Sequence, residues 1–395
     1  MPRSYAPVVE RFDVIVAGAG PAGSLTAHLL AREGVRTLLV DRARFPRDKP
    51  CGGGVTLRGA RLLPFAIGPV VEQHVTTIAF RHPSVGAFEH GGLAPVVLMT
   101  QRKRLDAFLA EQAALAGATF RDGTKVREVE IGADGRPSVT FGDGSRAGAD
   151  VLVAADGANG VCGRALDLGQ DRLFAPALEA NVDYDAVPGG VRRDVALLEM
   201  GYIPGGYGWI FPKGDHANVG VGGWDSQGPH LREHLRDVCA RHGIAWDALT
   251  ELRGHRLPMR GGGTQVARGR ALAVGDAAGL VDPLSGDGMY EAFTSAHVAS
   301  ASTRAVLEGR EADLSAYPAR LEAALGRHTS LAWIAKAAIE RAPAVALRVA
   351  RSRAIRRKFL QRTATSRDPL ARSAPSPVWR RAEDVARHLL GPDAA

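Results

Sequence analysis

The first pattern along the chain is a short apolar run, Phe12 to Ala17, then a cluster of glycines, a segment from Pro21 to Glu33 with helical spacing stopped by Gly34, and a second apolar run, Arg36 to Val40. Short apolar runs flanking a helical period predict a βαβ unit. Arg102 to Ala116 reads as a helix with Leu105, Phe108, Leu109 and Leu115 on one side. It is followed by alternating segments through Phe141 and by an apolar strand, Val151 to Ala155. Between Gly169 and Gly263 the texture changes to Gly- and aromatic-rich runs with turn signals, which predicts an antiparallel sheet. Ala271 to Val274 is a further buried strand, and Gly286 to Leu307 reads as a long helix. After Pro318 the pattern is helical almost to the end, broken near Pro343 and at Ser373 to Pro377.

The fold class that follows is α/β, a Rossmann-like nucleotide-binding domain with an inserted antiparallel-sheet substrate domain and a helical C-terminus. The expected division assigns 1–70, 97–168 and 264–330 to the nucleotide domain, 71–96 and 169–263 to the substrate sheet, and 331–395 to a basic helical region. A chain of 395 residues with 45% hydrophobic and 23% charged residues is long enough to bury a large core. No run reaches the roughly 18 apolar residues of a membrane span, and neither a span nor a signal peptide is expected. Three widely spaced cysteines, Cys51, Cys162 and Cys239, and an HxxxH pair lacking the HExxH glutamate point to a reduced, cytoplasmic setting without structural zinc. The net charge of +8 is uneven. From Leu331 onward 14 Lys/Arg face 5 Asp/Glu, a balance of +9, which leaves the first 330 residues at −1. No nucleic-acid-binding motif accompanies this tail, so its expected partner is an anionic membrane surface rather than nucleic acid. In the tail, Arg348, Arg351, Arg353, Arg356, Arg357, Lys358 and Arg362 accompany Val345, Val349, Ile355, Phe359 and Leu360, an interrupted amphipathic pattern that also suits a solvated helix.

Chemistry enters with Gly18-Ala19-Gly20-Pro21-Ala22-Gly23, a GxGxxG match placed directly after a strand and at the mouth of a helix, with Asp41 and Arg42 closing the second strand. Glycines permit the tight turn and close backbone approach, the helix amino end attracts a pyrophosphate, and the Asp41 carboxylate can accept ribose hydroxyls. A bare GxGxxG also arises by chance in a chain with 47 glycines; the strand, helix and acid around it argue for an adenine dinucleotide. Only one such fingerprint is present.

Further motifs carry a family resemblance. Gly275-Asp276-Ala277-Ala278-Gly279, followed by Pro283-Leu284-Ser285-Gly286-Asp287-Gly288-Met289, resembles the GD motif of aromatic-hydroxylase-like flavoproteins and geranylgeranyl reductases. That resemblance implies FAD in a glutathione-reductase/aromatic-hydroxylase-like fold. It gives Asp276 the ribitol chain and sets the helix start after Gly286 and Gly288 against the flavin pyrimidine. Arg102 resembles the family's Arg at a helix start near the cofactor phosphates, although a solvated basic helix start would look the same. Ala155-Asp156-Gly157-Ala158-Asn159 resembles the DG motif, but Gly160 and Gly163 stand where Ser and Arg are usual.

Pro46 to Gly54, with Lys49-Pro50-Cys51-Gly52-Gly53-Gly54, resembles the Lys-Pro-Cys-Gly segment of geranylgeranyl reductases. Three glycines would let a substrate approach the flavin closely beside the Cys51 thiol, so Cys51, Gly52 and Gly53 are the candidate catalytic positions, with a merely buried cysteine as the plainer alternative. Tyr207-Gly208-Trp209-Ile210-Phe211-Pro212, seven residues, then Gly220-Val221-Gly222 matches the family pattern YxWxFP, spacer, GxG. Period-two geometry places Tyr207, Trp209 and Phe211 on one face of a strand, and Lys213 to Asn218 is expected to turn the chain back. On periodicity alone such a stripe is core; the resemblance makes it a substrate wall for a flexible isoprenoid.

The resemblance thus implies an FAD-dependent reductase of C=C bonds in an isoprenoid lipid, with NADPH, NADH or a ferredoxin-like protein as electron donor. Competing readings are an FAD-dependent monooxygenase and a non-catalytic flavoprotein or isoprenoid carrier. No GxSxG elbow supports a hydrolase. The expected location is cytoplasmic, with peripheral attachment at the inner face of a membrane if the tail binds lipid.

Overall fold

The computed structural model describes residues 10–261, 263–364, 368–371 and 377–390. Its first sheet is built around Glu10–Ala17, which pairs in parallel with Thr37–Val40 on one side and Arg146–Ala154 on the other. Thr119–Arg121 and Ala271–Ala273 extend it in parallel, and Val126–Ile131 with Pro137–Phe141 adds an antiparallel flap. Val14, Ile15, Val16, Leu38, Leu39, Leu152 and Val153 have no exposed surface, because parallel strands covered on both faces leave no side chain facing water. Helices Pro21–Arg32 and Met289–Leu307 pack on each other over this sheet. The second of them begins three residues after Gly286, since Gly286 and Gly288 belong to the turn that feeds it.

Helix Arg102–Leu115 buries Leu105, Leu109 and Ala113, with Phe108 partly covered. Leu115 departs from the expected stripe and is 74% exposed. Ten residues after Leu105, at 3.6 residues per turn, it points nearly a right angle away from that face.

The second large sheet runs in the order Thr250–Arg260, Arg172–Asp183, His216–Gly222, Tyr207–Lys213, Val195–Met200, Thr77–His82 and Gly86–Gly91. The hairpin after the aromatic strand is tighter than the sequence suggests: only Gly214 and Asp215 lie between Lys213 and His216, and Gly214 has φ +52°. Helix Leu231–Arg241 covers the sheet's outer face, where buried Glu199 accepts from Arg241 and His242 at 2.8 Å each. A small sheet of Gly54–Thr56, Val97–Thr100 and Val71–Val75 joins the two bodies, so Val71–Val75 pairs here and not with the large sheet.

Helix Tyr317–Arg341 runs without a break across the expected start of the tail. Tyr317 donates to Ala273 O at 2.9 Å, and Trp333, fully buried, stacks on Trp224 with 6.4 Å between centroids. Helix Pro377–Leu390 packs along it, with Ser330 donating to Glu383 and Arg387 lying over the Trp333 ring. The side chains of Phe359, Leu360 and Arg362, part of the amphipathic tail pattern, lie outside the described residues. Among the described residues no helix is long and apolar enough to cross a membrane.

Candidate functional site

One cavity of about 1360 Å³ runs from the glycine turn at Gly18, past Cys51 to Gly54 and Asp276, to the aromatic strand and on to the C-terminal helices. Most small-molecule pockets span roughly 300–1000 Å³. This one is large enough for a dinucleotide and an elongated second ligand.

At its first end the fit to a dinucleotide is geometric. Gly18 has φ +109°, its amide donates to Val40 O at 2.7 Å, and any Cβ there would sit 2.3 Å from Ala155 O. A Cβ on Gly23 would meet Gly18 O at 1.9 Å, so the helix can follow the strand this closely only with glycine. Gly23 thus stands behind the cavity wall, while Gly18, Gly20, Pro21 and Ala22 form it. Helix Pro21–Arg32 starts on Gly20 with no side-chain cap and no acid in its first turn, which leaves its amino end available to an anion. Asp41 accepts from the amides of Ala19 and Ala43, at 2.9 Å each, and Arg42 lies on the wall beside it.

Arg102 is buried and grips Asp106 with two hydrogen bonds of 2.7 Å; Arg47 reaches the same carboxylate at 2.8 Å. Burial alone would disfavour the Arg102 charge, but Asp106 beside it holds its pKa well above the usual guanidinium value. Two guanidinium groups converge on one fully buried carboxylate, and Arg47 also lies 3.8 Å from Asp41, so this wall sets fixed N–H donors of the kind that bind a pyrophosphate beside the glycine turn.

Asp276 lies further along. Burial pushes its carboxyl up, yet Lys49 at 2.9 Å and His255 at 3.8 Å outweigh that and hold it far below the usual carboxylate range. Arg172 donates to its backbone carbonyl. Gly275 (φ +54°), Gly286 (φ +67°), Gly288 and Met289 are also on the wall, whereas Pro283 is buried behind it. Lys49, Arg47, His255 and Arg172 received no role from the sequence. Lys49 alone carried a signal, two residues ahead of Cys51.

Asp156, in the DG segment, accepts from the Cys162 amide at 2.9 Å, and a Cβ on Gly160 would sit 2.1 Å from its carboxylate. The departure from Ser at this position therefore has a local cause, because the acid folds over Gly160.

The Cys51 loop is held from three directions. The Cys51 amide donates to Glu179 at 2.8 Å, Lys213 Nζ donates to Cys51 O at 2.7 Å, and Gly53 N donates to the thiol sulfur at 3.4 Å. Burial pushes the Glu179 carboxyl up, although Lys213 opposes it. Gly53 has φ +83°, and a Cβ there would meet Thr100 O at 2.2 Å. A Cβ on Gly52 would lie 3.0 Å from the Phe211 ring and 3.8 Å from Trp209 Nε1, so this loop rests on the aromatic strand.

Tyr207, Trp209 and Phe211 all line the cavity, with centroids 6.0 and 6.1 Å apart in sequence order. Trp209 Nε1 donates to Asn218 Oδ1 at 2.8 Å, and the Tyr207 hydroxyl donates to Ser285 O, which ties the sheet to the turn after Asp276. Beyond them the wall is apolar: Phe80, Phe88 and Leu198 from the sheet, and Ala335, Ile339 and Leu347 from the C-terminal helices. The sequence did not place those helices at the site.

Known proteins agree with this architecture. Residues 11–196 match the FAD binding domain family. A menaquinone reductase of Mycolicibacterium smegmatis is 34% identical over 71% of this chain and 73% of its own. The chloroplastic geranylgeranyl diphosphate reductase of Arabidopsis thaliana is 31% identical over 76% of this chain and 67% of its own. The chain belongs to the geranylgeranyl reductase family of FAD-dependent oxidoreductases. In fold, this family member is similar to a geranylgeranyl bacteriochlorophyll reductase-like protein of Thermoplasma acidophilum, with a TM-score of 0.75 at 21% identity over 98% of each chain. Its cofactor is FAD, and the glycine turn, the Arg47–Arg102 pair and Asp276 are the parts of the wall that suit it.

Proposed function

We propose that this reductase-family protein saturates C=C bonds in an isoprenoid chain. The observation that carries the proposal is the continuity of the cavity: the Cys51–Gly54 loop rests on Trp209 and Phe211, and the space beyond is walled by apolar side chains of the large sheet and the C-terminal helices. The relatives named for reductases of prenyl-bearing molecules support the same substrate class.

Reduced FAD supplies hydride to one alkene carbon when bound. The chain's own residues bind, orient and exclude water. Tyr207, Trp209 and Phe211 offer flat apolar area without demanding directional bonds, which suits a flexible polyene. Gly52 and Gly53 remove side chains where the alkene must approach closely, and Lys213 and Glu179 hold that loop in place. Arg47, Arg102 and Lys49, each held by a carboxylate of the chain, would offer N–H donors to the anionic cofactor.

The test is anaerobic. Purified flavoprotein is reduced with dithionite and mixed with geranylgeranyl diphosphate or a polyprenyl quinone, and flavin absorbance is followed together with product mass. Flavin reoxidation matched by added hydrogen pairs is expected, slowed at least about tenfold by Cys51→Ala. Flavin that stays reduced until oxygen is admitted would overturn the proposal.

The rim of the cavity extends the proposal to a membrane. Val345 and Val349 line the cavity and are 61% and 55% exposed, and Arg348, Arg351, Arg353, Arg357 and Lys358 are exposed around them. An apolar mouth in a basic collar suits delivery of a lipid from an anionic surface. Flotation on anionic vesicles at low salt is expected, with loss at high salt and in Arg351→Glu/Arg353→Glu/Arg357→Glu. Failure to float at low salt would remove the membrane from the reading.

A further inference from the structure

A set of charged groups beside the start of helix Met289–Leu307 has no role in the site described above. Asp282 and Glu291, 5% and 2% exposed, place carboxylate oxygens 3.2 and 3.3 Å from His328 Nε2. Arg58 Nη2 is 3.2 Å from the same nitrogen, and its guanidinium lies over the Tyr290 ring. Asp287, whose Oδ1 accepts from the Met289 amide, and Tyr207, bonded to Ser285 O, face the group from the turn and from the large sheet; Lys336 lies further along the His328 helix. Arg58, Asp282, Asp287 and His328 line the cavity, and Glu291 stands behind them. Three of these residues offer ligand atoms within 4.8 Å of one another, as a cation would need. The Arg58 guanidinium already brings positive charge to that point, so a second cation would meet repulsion.

His328 Nε2 therefore has acceptors on two sides and a donor on a third, at nearly equal distances. Protonated, it donates to the carboxylates; deprotonated, it accepts from Arg58. The nitrogen itself therefore has a partner in either state, while the buried Asp282 Oδ2 and Glu291 oxygens, with no other hydrogen-bond partner, favour the proton on it.

We propose that His328, backed by Glu291 and Asp282, is the proton store of the cavity. The inference rests on the alkene-reductase reading. Saturating one C=C consumes one hydride and one proton: the π bond breaks, two C–H bonds form, the cofactor is oxidised by two electrons, and the Nε2–H bond breaks as its proton is consumed. Neutral His328 then accepts from Arg58 until it is recharged from the Glu291 carboxyl. The protonation states suit this order. Burial disfavours the imidazolium, but Asp282 and Glu291 overcome it and raise His328 to about 9. Burial lifts the Glu291 carboxyl to about 7, whereas Asp282, against its own burial, is held by His328 at about 2. Near neutral pH, His328 is charged, Asp282 is its fixed counter-ion, and Glu291 is poised to give or take a proton.

Histidine-labelled holoprotein tests this by NMR titration, with the His328 signal assigned by its loss in His328→Gln. The expected midpoint is near 9, moved at least about tenfold in proton concentration toward the ordinary imidazole value by the near-isosteric Glu291→Gln. In the anaerobic assay His328→Gln should slow alkene reduction at least about 100-fold with dithionite reduction unchanged, and added imidazole should partly rescue His328→Gly. An ordinary midpoint that Glu291→Gln does not move, or a His328→Gln rate and pH profile like the parent's, would overturn the store. If the parent protein itself reduces no prenyl chain, the alkene-reductase reading falls separately, and the titration alone decides for or against the store.

Discussion

Gly23→Ala is expected to purify nearly colourless, with FAD affinity reduced at least about 100-fold, or about 2.7 kcal/mol. The added methyl would sit 1.9 Å from Gly18 O and 2.9 Å from the Ala155 side chain. Neither neighbour is the free end of a flexible chain. Relief must come from the turn itself, and Gly18, already at φ +109° with its own Cβ position blocked by Ala155 O, cannot take up the displacement. The helix amino end would move away from the place where the pyrophosphate must meet its amides. Flavin-to-protein absorbance after purification and fluorescence titration of the apoprotein with FAD measure the loss. Circular dichroism separates it from unfolding, since a folded variant keeps the parent's spectrum while losing flavin. Parental flavin content would show that the turn has slack the geometry does not allow.

Trp209→Ala is expected to lose about 3–5 kcal/mol of stability and, at temperatures where it remains folded, at least about tenfold of its rate with a prenyl substrate while keeping FAD. The indole is only 7% exposed, packs flat on Gly220, and leaves Asn218 Oδ1 without its donor when removed. Asn218 is 1% exposed, so water cannot readily replace that bond. The same ring meets Gly52 from below, and its loss frees the loop that presents Cys51. Chemical denaturation gives the first quantity and the anaerobic assay the second. Trp209→Phe should restore most of the packing but not the hydrogen bond. A stable Trp209→Ala protein with an unchanged rate would mean that the strand is neither core nor substrate wall.

How much of this was legible in the chain differs from one part of the site to another. The glycine turn was legible because every feature it needs is local: a strand, three glycines at fixed offsets, and a helix whose amino end follows at once. The face shared by Tyr207, Trp209 and Phe211 was legible because a strand repeats every two residues whatever surrounds it. Leu115 was misplaced because a count of apolar residues on a helix says less than their angles. Asp106 received no role from the sequence, yet it is the group that gathers Arg47 and Arg102 from separate segments. Glu291 and His328 lie in segments read only as helix, yet both carry raised pKa values: burial outweighs His328 at the Glu291 carboxyl, and the Asp282 and Glu291 carboxylates outweigh burial at His328.

The tail shows the boundary most sharply. Its helical period and its excess of basic residues are properties of consecutive positions, and the chain alone settles them. Which face of that helix would be covered, and by what, depends on surfaces contributed from elsewhere. Trp333 is fully buried against Trp224, and Ala335, Ile339 and Leu347 close a cavity whose opposite wall lies more than a hundred residues earlier. Sequence by itself determined the dinucleotide turn, the flavin family and the aromatic strand, since those are short-range patterns with a fixed period or spacing. Only the tertiary structure decided the length and lining of the cavity and the meeting of Arg58, Asp282, Glu291 and His328. Those depend on side chains brought together by packing of separate elements, and no local repeat encodes that distance.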